Sequence, residues 1–330
     1  MPNAYISGTG FYVPPRVVTN DDLARIMDTS DEWIRERTGI KERRFAEPGI
    51  GPSDLAVHAS KAAFIEAGVA PENVDFIIFA TSTPDYYAPG SGCLLQHKLG
   101  LKNIGALDVR VQCAGFIYGL SVAHQYIRSA MFRNILLVGA EVQSSGLDFS
   151  NSGRDTAVIF ADGAGAVIVS ATEEHRGILS SHLHSDGKYA EELCCRSPAS
   201  TDHPRLSPKI LESQQQYLHM NGNEVFKHAV NIFPEITLKS LSANGLTIND
   251  LDLFIPHQAN LRITQLVQKR LGLSDSKVVS NIERYGNTTA ASIPIALAEA
   301  HRDGRIKDGS LLVLAAFGSG FAWGSVAIRW

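Results

Sequence analysis

The stretch GVAPENVDFIIFA, from Gly68, lies without gaps on GLTINDLDLFIPH, from Gly245: each holds a turn, an acidic residue and a short apolar strand. Two more echoes follow in the same order, LGLKN at 99–103 on LGLSD at 271–275 and NILLVGAE at 134–141 on SLLVLAAF at 310–317. A chain that repeats itself over this span is constrained to a duplicated architecture. Each copy alternates short apolar strands with helical segments, which predicts a mainly parallel sheet flanked by helices in each half and two such α/β units packed together. With 330 residues, 44% of them hydrophobic, the chain can bury a core of that size. The expected division is 1–175 for one half and 176–330 for the other. The spacing between landmarks drifts by several residues, so the repeat alone does not set the register.

Three residues able to share one acyl-transfer site each sit in a dense local signature: Cys113 in VQCAGFIYGL, His257 in PHQANLRI and Asn287 in YGNTTAASIP. A cysteine supplies a thiolate nucleophile, a histidine moves protons or stabilises negative charge, and an asparagine amide donates a hydrogen bond without ionising. Phe116, Ile117, Leu120, Ala123, Tyr126 and Ile127 recur at helical spacing after Cys113, placing the thiol at or just before a helix start. Unpaired N–H groups and the positive dipole end there favour thiolate. His257 directly follows the predicted strand Leu253–Pro256, at the strand end where α/β sites gather. Cys113 and Asn287 fall near corresponding places of the two copies, so a pseudo-twofold axis would bring them to a shared cleft. Each residue also has an ordinary alternative: a buried small thiol, a satisfied structural histidine, and a helix N-cap.

Other classes are disfavoured. The formal charge of −4 and the lack of a long basic run give no general pull toward nucleic acid. No apolar stretch approaches the roughly 18–20 residues that span a bilayer, and MPNAYISGTG is no signal peptide, so a cytoplasmic protein is expected. Cysteines 93, 113, 194 and 195 form neither a disulfide framework nor a zinc spacing, no metal site is expected, and Cys194 and Cys195 read as incidental loop residues. Neither GTG at 8–10 nor FGSGFAWGS at 317–325 matches a dinucleotide fingerprint. A Cys-His-Asn order also occurs in papain-like proteases, but a duplicated α/β pattern does not suit them. A thioester hydrolase or a simple acyltransferase stays open, since both need Cys113 without a decarboxylation step.

The three signatures, together with ISGTGFYVP at 6–14, TSDEWIRERTGI at 29–40, IFADGAG at 159–165, GNEVFKHAV at 222–230 and the closing FGSGFAWGSVAIRW, resemble the thiolase superfamily and within it the β-ketoacyl-[acyl-carrier-protein] synthase III family. The resemblance covers nearly the whole chain. It implies a thiolase-like duplicated fold, two pseudo-symmetric βαβαβ-type halves packed into a layered α/β/α/β/α core, with the nucleophile in the first half and the His and Asn in the second. It also implies decarboxylative condensation of an acyl-coenzyme A primer with a malonyl thioester through an acyl-Cys113 intermediate, without a cofactor. His257 and Asn287 would face the enolate oxygen, and the backbone N–H groups of Cys113 and Ser319 would form the oxyanion hole. A thiolase would carry a second cysteine in the C-terminal glycine loop, and an elongating synthase a second histidine in place of Asn287; this chain has neither.

On matched positions, the resemblance implies that Trp33 and Arg154 sandwich the adenine of coenzyme A, Arg37 contacts the pyrophosphate, and Asn223 and Asn260 line the pantetheine path. Lys227, Arg262 and Lys269 are expected to present a basic patch to an acidic acyl carrier protein, and the chain is expected to form a homodimer. In TSTPDYYAPGSGC, Ala88 stands where relatives carry a bulky residue that shortens the acyl tunnel from the partner subunit. Its small side chain predicts medium or longer primers, as in a related condensing enzyme or acyltransferase of secondary metabolism.

Overall fold

The computed structural model describes all 330 residues. The first sheet contains β1 (Asn3–Tyr12), β2 (Phe76–Ala80), β3 (Gly105–Val109), β4 (Asn134–Glu141) and β5 (Gly163–Thr172), in the order β1-β5-β4-β2-β3. The second contains β6 (Gly177–Ser185), β7 (Leu253–Pro256), β8 (Leu311–Gly318) and β9 (Ala322–Arg329), in the order β6-β9-β8-β7. The two orders are the same topology. In each, the first two pairings are antiparallel and the third is parallel, and Val278, bridged in parallel to Phe254 of β7, stands where β3 stands beside β2.

The sheets are therefore mixed rather than mainly parallel. The physical reason is plainest at β8 and β9: three residues join them, and so short a link can connect only antiparallel neighbours.

Five helices position the rest: α1 (Pro52–Ala67), α2 (Gly115–Arg128), α3 (Gly222–Ser242), α4 (Leu261–Leu271) and α5 (Ser292–Arg302). Helices α2 and α5 lie between the sheets, where Phe116, Leu120, Ile293 and Leu297 share one core with residues of both. Helix α1 covers the outer face of the first sheet, and α3 with α4 covers that of the second. This is the five-layered α/β/α/β/α arrangement. Strand β4 shows how the sequence satisfies it: Ile135 and Leu137 point to the central helices while Leu136, Val138 and Ala140 point to the outer one, so nearly every residue is apolar and buried. In α2, a Cβ on Gly119 would come within 2.6 Å of Leu137, so the glycine lets the central helix approach the sheet.

The structure corrects the repeat by one residue. Phe76 faces Ile135 across the β2/β4 ladder, and its counterpart Leu253 faces Leu312, so NILLVGAE corresponds to LLVLAAFG rather than to SLLVLAAF. A one-residue slip would turn every side chain to the wrong face, and tertiary packing fixes what the similarity of two apolar runs leaves open. No helix is long and apolar enough to cross a membrane.

Candidate active site

Cys113 lies in a single 3-10 turn, Gln112–Ala114, that leads into α2. The offset that carries Phe76 onto Leu253 carries Gln112 onto Thr289, which opens the matching turn Thr289–Ala291 before α5. Both residues have left-handed backbones, φ 43° and 50°, a conformation that costs on the order of 1–3 kcal/mol for a non-glycine residue and is unusual for a β-branched one. The duplicated fold thus keeps one strained turn on each side of its pseudo-axis. The counterpart of Cys113 is Ala290, not Asn287, which precedes it by three residues.

The thiol is buried against the end of β8. A Cβ on Gly318 would lie 2.8 Å from its Sγ, so only glycine leaves room for the nucleophile at this point. Burial, and next the nearby Glu141 carboxylate, push the thiol up to about 12, while the backbone N–H groups of Cys113 and Ser319 pull it down. This reverses the expectation of a resting thiolate at a helix start: desolvation outweighs the helix end. The same two N–H groups both point at the sulfur. The Ser319 hydroxyl is held away, donating to the Leu193 carbonyl.

His257 is buried at the end of β7. Its Nδ1 lies 2.6 Å from Ser292 Oγ, and that oxygen also accepts from the Gln258 backbone N–H at 3.4 Å. The Ser292 hydroxyl can donate to Nδ1, and we assign the tautomer in which it does so and the ring proton sits on Nε2. Nε2 has no protein partner. Burial lowers the imidazole to about 3, so it is neutral.

Asn287 is fixed by its backbone, whose N–H donates to Ile159 and whose carbonyl accepts from Ala161. Its Oδ1 accepts from the Thr289 N–H at 2.9 Å, which leaves the side-chain N–H groups as free donors. Cys113, His257 and Asn287 all line one narrow cavity of about 90 Å³, walled by Phe226, Ile263 and Leu193.

Cys113 also opens onto a second cavity of about 320 Å³. Cys194 and Cys195 both line it; Cys194 is no loop residue but ends the short strand Leu193–Cys194, which pairs with His219–Met220, while Cys195 follows in the loop as expected. Their adjacency in sequence carried no sign that the chain folds back over the nucleophile.

Beside this cavity, Glu141 is fully buried and accepts hydrogen bonds from the hydroxyls of Ser82 and Thr83 and the backbone of Ser82 and Ala290. Burial raises its carboxyl from the ordinary 4.5 to about 7. Across that window the folded protein keeps a proton that the unfolded chain releases, so this group's contribution is present below about pH 4.5 and is lost as pH rises through 7. The loss amounts to about 3 kcal/mol. Glu141→Gln, which cannot ionise, is expected to gain several degrees in melting temperature relative to the parent protein between pH 5 and pH 8. Parallel melting profiles of the two proteins over that range would sink this assignment. Neither Glu141 nor Ser292 stood out in the sequence, although an acid closing the apolar run NILLVGAE was a usable signal.

The remaining sequence candidates are spread around the mouth. Arg37 and Arg154 both rest on the Trp33 ring, 4.4 and 4.6 Å from its centre, so a flat base entering between Trp33 and Arg154 must displace a guanidinium. Asn260 lines the narrow cavity, caps α4 and donates to the Arg37 carbonyl, joining the two segments. Asn223 is exposed and does not line it; its neighbours Gly222, Val225 and Phe226 do. Arg262 lies 5.8 Å from the Phe226 ring, and Lys227 and Lys269 are exposed on α3 and α4. Ala88 is exposed on its loop and lines neither cavity of its own chain.

Residues 107–187 match the family described as 3-oxoacyl-[acyl-carrier-protein (ACP)] synthase III, and residues 241–330 match its C-terminal part. The chain is 46% identical over 327 residues to β-ketoacyl-[acyl-carrier-protein] synthase III of Caldanaerobacter subterraneus subsp. tengcongensis, covering 99% of this chain and 98% of that one. It is 48% identical over 327 residues to the protein of the same name from Xanthomonas oryzae pv. oryzae, covering 98% of each. The crystal structure of 3-oxoacyl-[acyl-carrier-protein] synthase III from Aquifex aeolicus VF5 superposes with a TM-score of 0.91 at 41% identity, over 99% of this chain and 100% of that one.

Proposed function

The chain belongs to the β-ketoacyl-[acyl-carrier-protein] synthase III family, and from that premise we propose how its own residues carry out the condensation. It is an acyltransferase that initiates fatty acid synthesis, joining an acyl-coenzyme A primer to malonyl-acyl-carrier-protein and releasing carbon dioxide. The related reading, a secondary-metabolic enzyme taking a medium or long acyl thioester, is not favoured by these relatives.

Cys113 Sγ attacks the primer thioester, and coenzyme A leaves as its thiol with the cysteine proton. The N–H groups of Cys113 and Ser319 hold the oxygen of the tetrahedral intermediate. The malonyl thioester then enters the narrow cavity and loses carbon dioxide, and its electron pair passes to an enolate whose oxygen accepts from His257 Nε2–H and the Asn287 amide. The enolate carbon attacks the acyl-cysteine, the C–S bond breaks with the electron pair going to sulfur, and the Cys113 thiolate takes a proton from solvent to restore the thiol. Loss of carbon dioxide supplies the carbanion, so neither metal nor redox cofactor is required.

One observation carries this division of labour: two neutral donors, one of them a buried Nε2 without any partner, face a cavity that also holds the thiol. An unpaired buried donor costs on the order of 1–3 kcal/mol, and an enolate oxygen is a ligand that repays it. Stoichiometric carbon dioxide release and a new carbon–carbon bond from acetyl-coenzyme A and malonyl-acyl-carrier-protein are expected; free acid as the main product would point instead to a thioester hydrolase.

Coenzyme A is proposed to enter past Trp33, Arg37, Arg154, Asn223 and Asn260. The acidic carrier protein is proposed to dock on Lys227, Arg262 and Lys269, and a second copy to complete a homodimer in which Ala88 faces the neighbouring acyl cavity. Trp33→Ala is expected to raise the KM for acyl-coenzyme A about tenfold, the scale of one desolvated cation–π or stacking contact, with kcat nearly unchanged. An unchanged KM would remove Trp33 from the path.

A further inference from the structure

Arg43 is fully buried, and every hydrogen bond it makes goes to a neutral acceptor. Its Nη1 donates to the Val18 carbonyl at 3.3 Å and to Asn20 Oδ1 at 2.7 Å, its Nη2 donates to the Val158 carbonyl at 2.8 Å, and its Nε has no partner. Burial lowers the guanidinium to about 10, while the Glu42 and Asp22 carboxylates raise it, so it stays charged at neutral pH. Taking a cation out of water for neutral partners is unfavourable, and an apolar side chain of similar volume is often at least as stable in such a place. What only a guanidinium supplies is a rigid fork of donors that ties separate segments together.

One of those segments sets the active-site asparagine. Arg43 lies in the short strand Glu42–Arg44, which pairs with Val17–Thr19. Residues 158–162 are fastened to it at both ends: Arg43 holds the Val158 carbonyl, and the Arg44 carbonyl accepts from the Asp162 N–H. Between those two ties the segment fixes Asn287, whose N–H donates to the Ile159 carbonyl and whose own carbonyl accepts from the Ala161 N–H. Ile159 and Phe160 then line the narrow cavity beside Asn287. Gly286 lets the pieces meet: its φ is 63°, and a Cβ there would lie 3.0 Å from the Ile159 oxygen and 3.4 Å from Arg43 Cβ. Arg43 itself lines neither cavity. We propose that Arg43 is a positioning residue for malonyl decarboxylation, anchoring the segment that sets the Asn287 backbone and so aims its amide at the enolate oxygen. The inference rests on the enolate role of Asn287 given above.

The test measures the two half-reactions apart, carbon dioxide release from malonyl-acyl-carrier-protein and single-turnover acylation of Cys113 by acetyl-coenzyme A. Arg43→Lys keeps the charge without the fork and is expected to slow decarboxylation about tenfold, and Arg43→Met by something on the order of 100-fold, the loss of the Asn287 donor itself. Acylation is expected to change by less than about twofold in Arg43→Lys. A double-mutant cycle separates positioning from general loosening of the fold. Acting through Asn287, Arg43→Lys adds almost nothing to the decarboxylation loss of Asn287→Ala but multiplies that of His257→Ala. A merely structural role multiplies both and slows acylation as well. Should neither Arg43 variant fold, Asn20→Ala, which removes the 2.7 Å acceptor of the same guanidinium and leaves the cavity wall intact, should give a smaller loss with the same selectivity and enters the same cycle. Decarboxylation unchanged in the folded variants, equal losses in both half-reactions, or full multiplication with Asn287→Ala would overturn the proposal. An Asn287→Ala enzyme that decarboxylates normally would instead overturn the enolate role on which it rests.

Discussion

Replacing Cys113 with alanine is expected to abolish the acyl adduct in intact-protein mass spectra after incubation with acyl-coenzyme A, and to lower condensation by a factor on the order of 10⁴ or more, as removal of a covalent nucleophile does. The substitution removes one sulfur from a site that Gly318 keeps open for it, so folding should be little affected. Cys194 and Cys195 line the same cavity as Cys113 and make the experiment sharp, because an adduct could in principle move to them. Burial raises both thiols as well, and Cys195 lies 3.2 Å from the carbonyls of Ser197 and Gln216. Neither has the two N–H groups that face the sulfur of Cys113. An adduct persisting on either one after Cys113→Ala would displace Cys113 as the acyl acceptor.

His257→Ala and Asn287→Ala are expected to slow malonyl decarboxylation by something on the order of 100-fold each, the range for loss of one positioned donor, while acylation of Cys113 stays substantial. The separation follows from the proton positions. In the assigned tautomer, with Ser292 donating to Nδ1 of the neutral imidazole, Nε2 carries a hydrogen and cannot take one from the thiol. Asn287 has its Oδ1 committed to the Thr289 N–H and likewise offers only donors. Ser292→Ala should reproduce part of the His257 loss by freeing the ring to take the other tautomer, a change a purely structural role would not produce. Radiolabelled carbon dioxide release measured beside single-turnover acylation separates the two half-reactions. If both collapse together, His257 and Asn287 serve the acyl-transfer step as well, and the assignment of roles fails.

The duplication, the family and the three residues that meet in one cavity were legible in the linear chain because each rests on local chemistry. Strand and helix patterns follow from apolar periodicity, and a cysteine before a run such as AGFIYGL keeps its identity in any context. The mixed strand directions were not legible, since a parallel and an antiparallel neighbour present the same alternation of side chains. Nor was the register of the second β4-like strand: two runs of consecutive apolar residues align almost equally well in two ways, and only the split of Leu312 and Leu314 toward the central helices from Val313 and Ala315 toward the outer ones decides between them.

What the sequence determined by itself is the family and the three side chains, Cys113, His257 and Asn287, around which the candidate site is built. What only the tertiary structure decided is their state. The same helix start that argues for a thiolate lies beneath β8 and beside Glu141, where desolvation reverses the expected shift of Cys113. His257 is neutral because burial lowers its imidazole, and Ser292, from a separate segment, meets its Nδ1. Cys194, Cys195 and Gln216 become neighbours of the nucleophile only because the chain returns over it. Burial and electrostatic environment are sums over segments far apart in the chain, and no local run of residues encodes them.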